Sequence, residues 1–189
     1  MGDNFFTDKL RPVTHEGVTE RALLTRSYYD IVSHSSAVFL GLGNHEGEWG
    51  TRYKGSAESL PVWNTIERKR FFPNPEPNGF YSGSSKNEPN MGVRQANFAW
   101  TWGDALFITL DPFWFAGGGR ESWGTSLGRE QYDWLKRTLE NSRAQFKFVF
   151  IHHLVGGKDR QCRGGVEVAP LYEWGGKNAG GADGFAQHR

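Results

Sequence analysis

The stretch Phe39-Leu40-Gly41-Leu42-Gly43-Asn44-His45-Glu46 runs from apolar residues through two glycines into three polar side chains. Residues 37–42 have the length and apolar content of a buried strand, and the glycines mark its end. An amide, an imidazole and a carboxylate would then follow the strand, where open α/β folds place their chemistry. Taken alone, the stretch is also typical of a loop with a capping asparagine.

Two distant segments present polar side chains in a similar way. Gly2-Asp3 lies near the beginning of the chain, and Asp3 by itself is compatible with a turn cap or a ligand. The apolar run at 148–151 ends at His152 and His153. Carboxylate, amide oxygen and imidazole together form a donor set suited to Mn, Fe, Zn or Mg. A histidine that stays off the metal could serve as an acid, because imidazole titrates near neutral pH.

Composition excludes several classes of protein. The 189 residues include 22 basic and 21 acidic side chains, and this balance gives no indication of binding to nucleic acid or to an anionic membrane. A single cysteine, Cys162, excludes an internal disulfide framework and a cysteine-rich zinc module. No apolar run approaches the ~18 residues of a membrane span. The length suits one domain with a sizeable core.

Periodicity predicts an α/β fold with some antiparallel pairing. We expect helices at 16–33, 62–70 and 129–141, and strands at 37–42, 95–102, 105–110 and 148–151. Gly103-Asp104 predicts a two-residue turn between adjacent antiparallel strands. The apolar helix faces are predicted to be Val18, Ala22, Tyr29 and Val32, and Tyr132, Leu135 and Leu139. Long loops rich in Gly, Pro and Trp separate these elements, and their aromatic residues suit either packing or a sugar-binding platform.

Three ordered motifs resemble those of the calcineurin-like metallophosphoesterases, which include the purple acid phosphatases. The motifs are Gly2-Asp3, Gly43-Asn44-His45-Glu46 and Val149-Phe150-Ile151-His152. A strand ending in Leu110-Asp111 and a helix containing Gln131, Trp134 and Leu135 also resemble this family. The resemblance implies a partial α/β/β/α sandwich with mixed sheets. It also implies a metal-dependent phosphatase or phosphodiesterase acting on phosphoric esters.

The resemblance assigns a role to each matching residue. Asp3 matches a carboxylate that bridges two divalent cations, and Asn44 and His152 match ligands of the second cation. His45 matches the catalytic imidazole that reaches a phosphate oxygen or the leaving group. Glu46 and His153 match groups behind the ligands or beside the substrate, and for His153 simple packing is an equal alternative. In such centres a hydroxide held by the metals attacks phosphorus.

The chain also departs from the family pattern. No Asp-x-His precedes Gly2 and no Gly-His-x-His follows His153, so we expect residues 1–189 to be one domain truncated at both ends. Such a chain would bind at most one cation weakly and show little activity, whereas a longer chain with the missing motifs would be active. Export suits the family, with any leader outside this chain. The alternative is a non-catalytic remnant that binds a partner or glycan through its aromatic loops.

Overall fold

The computed structural model describes residues 2–114 and 127–152, together with short strands at 154–155 and 163–164. Helices in these residues are α1 (His15–Ser33), α2 (Leu60–Phe71) and α3 (Gly128–Asn141). The strands are β1 (Ser82–Gly83), β2 (Asn87–Glu88), β3 (Gly92–Val93), β4 (Phe98–Trp102), β5 (Ala105–Thr109), β6 (Phe146–Phe150), β7 (Leu154–Val155) and β8 (Arg163–Gly164). This arrangement confirms the predicted mixed α/β class.

Four strands form one mixed sheet in the order β1-β4-β5-β6. The hairpin predicted at Gly103-Asp104 is confirmed, because β4 and β5 pair antiparallel with Trp102 opposite Ala105. Gly103 has a φ of 59°, which glycine adopts without strain. β6 lies parallel to β5, and α3 precedes it in the long connection that parallel strands require. β6 therefore delivers the chain to His152 at one end of this sheet.

The two faces of the sheet pack against different parts of the chain. On one face, four buried residues pack against α3: Ala99, Leu106, Ile108 and Leu110. On the other, the rings of Trp100, Phe107 and Phe148 stack in a row with centroid separations of 5.1 and 5.4 Å. Phe39 adds to this row at 4.6 Å from Trp100, so the segment that carries the central motif lies against the aromatic face.

The prediction of a strand at 37–42 is wrong, because this segment belongs to no strand or sheet among the described residues. Leu40 and Leu42 are nonetheless buried, as their apolar character predicts. The side chain of Asn74 replaces a neighbouring strand: its Oδ1 accepts from Leu40 N at 2.9 Å, and its Nδ2 donates to Leu40 O at 2.8 Å. Burial and hydrogen bonding are thus satisfied without strand pairing.

The helices begin within two residues of their predicted starts, for visible local reasons. Thr14 caps α1 by accepting a hydrogen bond from Gly17 N at 3.1 Å, and Pro61 occupies the first turn of α2, where its missing N–H costs nothing.

Two predicted core positions are wrong: Val32 is 59% exposed and Tyr132 is 48% exposed. Within the described residues, no helix has the length and apolar content to cross a membrane.

Candidate active site

The three sequence motifs meet in space at two glycines. A Cβ on Gly2 would lie 2.6 Å from Cγ of His152 and 2.8 Å from Cα of Gly43. Gly2 also has a φ of 75°, in the left-handed region that favours glycine. The loop at 2–4, the loop at 43–46 and the end of β6 can therefore approach one another because neither glycine carries a side chain.

Asp3 makes contact with both of the other motifs. Its Oδ1 accepts a hydrogen bond from the backbone N–H of His45 at 2.9 Å, and its Oδ2 lies 3.2 Å from Nε2 of His152. Both side chains are partly exposed: the Asp3 side chain is 23% exposed and the His152 side chain is 16% exposed. Asp3 and His152, 149 residues apart in sequence, thus share one partly open site with the His45 backbone.

His45 is held by two neighbours from the segment that follows Asp3. Its Nδ1 lies 3.0 and 2.9 Å from the two carboxylate oxygens of Asp8, and its ring stacks on Phe6 with centroids 4.9 Å apart. Asp8 belongs to a short 3₁₀ turn at Thr7–Lys9, and its side chain is 7% exposed. This arrangement fixes the ring and directs Nε2 away from Asp8, so that Nε2 is the nitrogen left for a substrate.

Glu46 ties the two loops together from behind. Its Oε2 accepts from the N–H groups of Asp3, at 2.9 Å, and Gly43, while its Oε1 accepts from the N–H of Asn4 and from Asn4 Nδ2. Burial raises the pKa of Glu46, the backbone N–H donors partly offset that effect, and the charge of Asp3 adds to it. Glu46 is fully buried, so it reaches the site through the backbone of Asp3 rather than by facing a substrate.

Of the two remaining predicted site residues, Asn44 lies within the described part of the chain and His153 does not. Asn44 is partly exposed beside His45, and its backbone carbonyl accepts a hydrogen bond from Trp49 Nε1 at 2.7 Å. Its side-chain amide makes no hydrogen bond within the described part of the chain. His153 lies outside the described residues, so its predicted role stays a prediction.

Sequence reasoning missed Asp8 and Asn4. In the sequence, Asp8 looks like an ordinary turn residue. The turn that brings it to His45 leaves no periodic pattern of apolar residues that could have predicted the contact. Asn4 links Glu46 to α1, since its Oδ1 accepts from the hydroxyl of Tyr29 at 2.7 Å. Burial raises the pKa of Tyr29, and the charge of Glu46 adds to that effect, so this hydroxyl remains a donor at neutral pH.

Replacing Gly43 with alanine should disturb the site, because the new Cβ would lie 2.8 Å from Oε2 of Glu46 and closer still to Asp3. We expect a loss of about 1–3 kcal/mol in the free energy of unfolding, as for other overpacked positions. Chemical denaturation measures this loss. The matched control is Gly79→Ala, where a Cβ meets nothing within 4 Å. Equal stability of the two variants would contradict the close packing of the loops.

The site fits one cation in part. Two ligands of one ion, each about 2.0–2.2 Å from it, lie roughly 3.0–3.4 Å apart, and the separation between Asp3 Oδ2 and His152 Nε2 is 3.2 Å. Asn44 could supply a third donor, since an amide oxygen suits hard cations. Among the described residues, however, no group of three or more His, Cys, Asp or Glu side chains is arranged to hold a metal.

Comparison with family models, curated proteins and solved structures finds no match for this chain. The resemblance to metallophosphoesterases thus depends on the three motifs themselves.

Proposed function

We propose that this chain acts on phosphoric esters as a metal-dependent hydrolase, with Asp3, Asn44 and His152 as the side chains that would hold a divalent cation. The observation that carries this proposal is the meeting of a carboxylate and an imidazole from opposite ends of the chain, at ligand spacing and partly open to solvent.

His45 is the residue proposed to act on the substrate. Asp8 accepts from Nδ1 and would stabilise the protonated ring, so that Nε2 can donate a proton to the leaving oxygen of the ester. Phe6 covers one face of the ring and limits its rotation. The backbone bond from His45 to Asp3 keeps this acid beside the proposed ligands.

The cation, when bound, would supply a Lewis-acidic centre that activates water and offsets the negative charge of the phosphate. The contribution of the protein is to orient the proposed ligands. Glu46 holds the backbone of Asp3 and Gly43 in one geometry through buried hydrogen bonds. That arrangement aims the Asp3 carboxylate at His152 before any ligand arrives, which lowers the ordering cost of binding.

The test is to titrate the chain with Mn²⁺ and with Zn²⁺ by calorimetry and to assay an aryl phosphate with each ion. We expect weak binding of one ion and slow hydrolysis that a chelator abolishes. Asp3→Asn should remove both, because it takes the anionic ligand away at constant size. Asp30→Asn is the matched control, since Asp30 is an exposed carboxylate paired with Arg26 on α1. Equal ion binding by Asp3→Asn and the unaltered chain would contradict the proposal.

A further inference from the structure

A broad groove of about 850 Å³ lies between the C-terminal half of α3 and the β4-β5 hairpin. Leu106 and Ala99 form part of its floor, and Trp134 and Arg137 of α3 line one side. The turn at 78–81 lines the opposite side. We call this feature the α3 groove, and it shares no lining residue with the candidate active site.

One wall of the α3 groove is a free strand edge. β1 pairs with β4 only through Ser82 opposite Ala99 and Gly83 opposite Phe98. The residues just before β1 form a turn and do not continue this pairing. Asn78 N donates to Tyr81 O at 2.9 Å, and Asn78 Oδ1 accepts from Tyr81 N at 2.9 Å. Within the described residues, β4 therefore has no partner on this side from Trp100 onward, although Trp100 and Thr101 line the groove.

The side chains of the α3 groove favour an acidic occupant with apolar contacts. Arg137 and Arg143 line it, against one carboxylate, Asp104. Neither guanidinium has a hydrogen bond or ion pair with another described residue. The indole of Trp134 also lines the groove, and its Nε1 is buried without a hydrogen-bond partner in the described part of the chain.

We propose that the α3 groove binds an extended acidic peptide, which adds as a strand to the free edge of β4 beyond β1. A free edge offers main-chain donors and acceptors in the pattern that strand addition uses. Alternate side chains of an added strand point to opposite faces, so every second residue would point towards α3, where acidic side chains could pair with Arg137 and Arg143. The residues between them would point to the other face of the sheet, beside the ring of Trp100. This inference does not depend on the proposed hydrolase activity.

The probe is the peptide acetyl-Glu-Val-Glu-Val-Glu-amide, titrated into the ¹⁵N-labelled chain and followed by NMR at about 0.15 M salt. We expect shift changes confined to 78–82, 99–106 and 134–144, with slower amide exchange in β4. The peptide acetyl-Glu-Pro-Glu-Pro-Glu-amide should not bind, because proline has no N–H to donate to the strand. Binding of both peptides with equal affinity would overturn strand addition.

Charge is tested by the double variant Arg137→Glu and Arg143→Glu, which we expect to weaken binding at least tenfold. Lys136→Glu is the matched control: Lys136 is an exposed cation of the same helix that does not line the groove, and the Debye length of ~8 Å limits its influence. Circular dichroism and the dispersion of the NMR spectrum establish that each variant is folded. Three results would each overturn the proposal. They are equal binding of acidic and basic versions of the peptide, displacement of the peptide by a neutral oligosaccharide, and no binding at millimolar peptide.

Discussion

Replacing Arg68 with methionine should lower the free energy of unfolding by about 3–5 kcal/mol, the cost of removing one partner from a buried ion pair. Arg68 and Glu48 are among the largest fully buried side chains. The guanidinium donates to both oxygens of Glu48, at 2.6 and 3.1 Å, and also to the backbone carbonyls of Arg94 and Gln95. Methionine fills a similar volume but leaves these acceptors unsatisfied.

The loss is large because the pair belongs to a connected network. Arg94 donates to Glu48 at 3.1 Å and to Asp111 at 2.7 Å, and its guanidinium lies 3.9 Å from the ring centroid of Trp114. Asp111 in turn receives a hydrogen bond from Phe113 N at 2.9 Å. The network therefore fastens the loop that follows the candidate site to α2 and to the end of β5. Removing the guanidinium of Arg68 therefore also weakens the hydrogen bonds that hold the neighbouring side chains of the network.

The same network predicts the pH dependence of stability. Burial alone would raise the pKa of Glu48, but the charge and hydrogen bonds of Arg68 and the charge of Arg94 outweigh burial and lower it below 4.5. A carboxylate with a lowered pKa in the folded state contributes stability above its unfolded pKa, and that contribution is lost as the pH falls through the folded value. The stability difference between Arg68→Met and the unaltered chain should therefore narrow below about pH 4.5.

Chemical denaturation at neutral pH and at acid pH measures both effects. The control is Arg129→Met, because Arg129 forms an ion pair with Asp133 at 2.7 Å but is almost fully exposed. Exposed pairs contribute little, so this variant should match the unaltered chain at every pH. A similar stability for Arg68→Met and Arg129→Met would contradict the buried network.

The parts of the fold that could be predicted are those decided by local sequence. The β4-β5 hairpin follows from two apolar runs joined by Gly103-Asp104, and these signals need no information from the rest of the chain. The segment 37–42 shows the limit. Its apolar residues correctly predict burial of Leu40 and Leu42, but strand character depends on a neighbour, and here Asn74 supplies the hydrogen bonds instead.

The candidate site likewise contains residues that the sequence could predict and residues that it could not. Residues that follow apolar runs, such as His45 and His152, could be selected because such runs often end at a sheet edge, although here only the run before His152 lies in a sheet. Asp8 could not, since its contact with His45 arises from a 3₁₀ turn and from a separation of 37 residues. The burial of Glu46 was also out of reach, because it depends on N–H donors gathered from two separate loops.

Replacing His45 with alanine should lower the rate of aryl phosphate hydrolysis by about 10²–10⁴, the usual contribution of a positioned general acid. The measurement is kcat with whichever added divalent ion gives the highest rate. Asp8→Asn should produce a smaller loss, because the ring remains in place but loses the charge that stabilises its protonated form. Asp30→Asn, at an exposed carboxylate of α1, is the matched control.

The identity of the leaving group shows whether His45 acts as an acid. Phenolate needs a proton as it departs, whereas 2,4-dinitrophenolate leaves readily without one. The loss on His45→Ala should therefore be large for phenyl phosphate and small for 2,4-dinitrophenyl phosphate, and Asp8→Asn should follow the same order because it acts through His45. Since Nδ1 is occupied by Asp8, the proton must come from Nε2. An equal loss with both substrates would contradict proton donation and would place His45 on a phosphate oxygen instead.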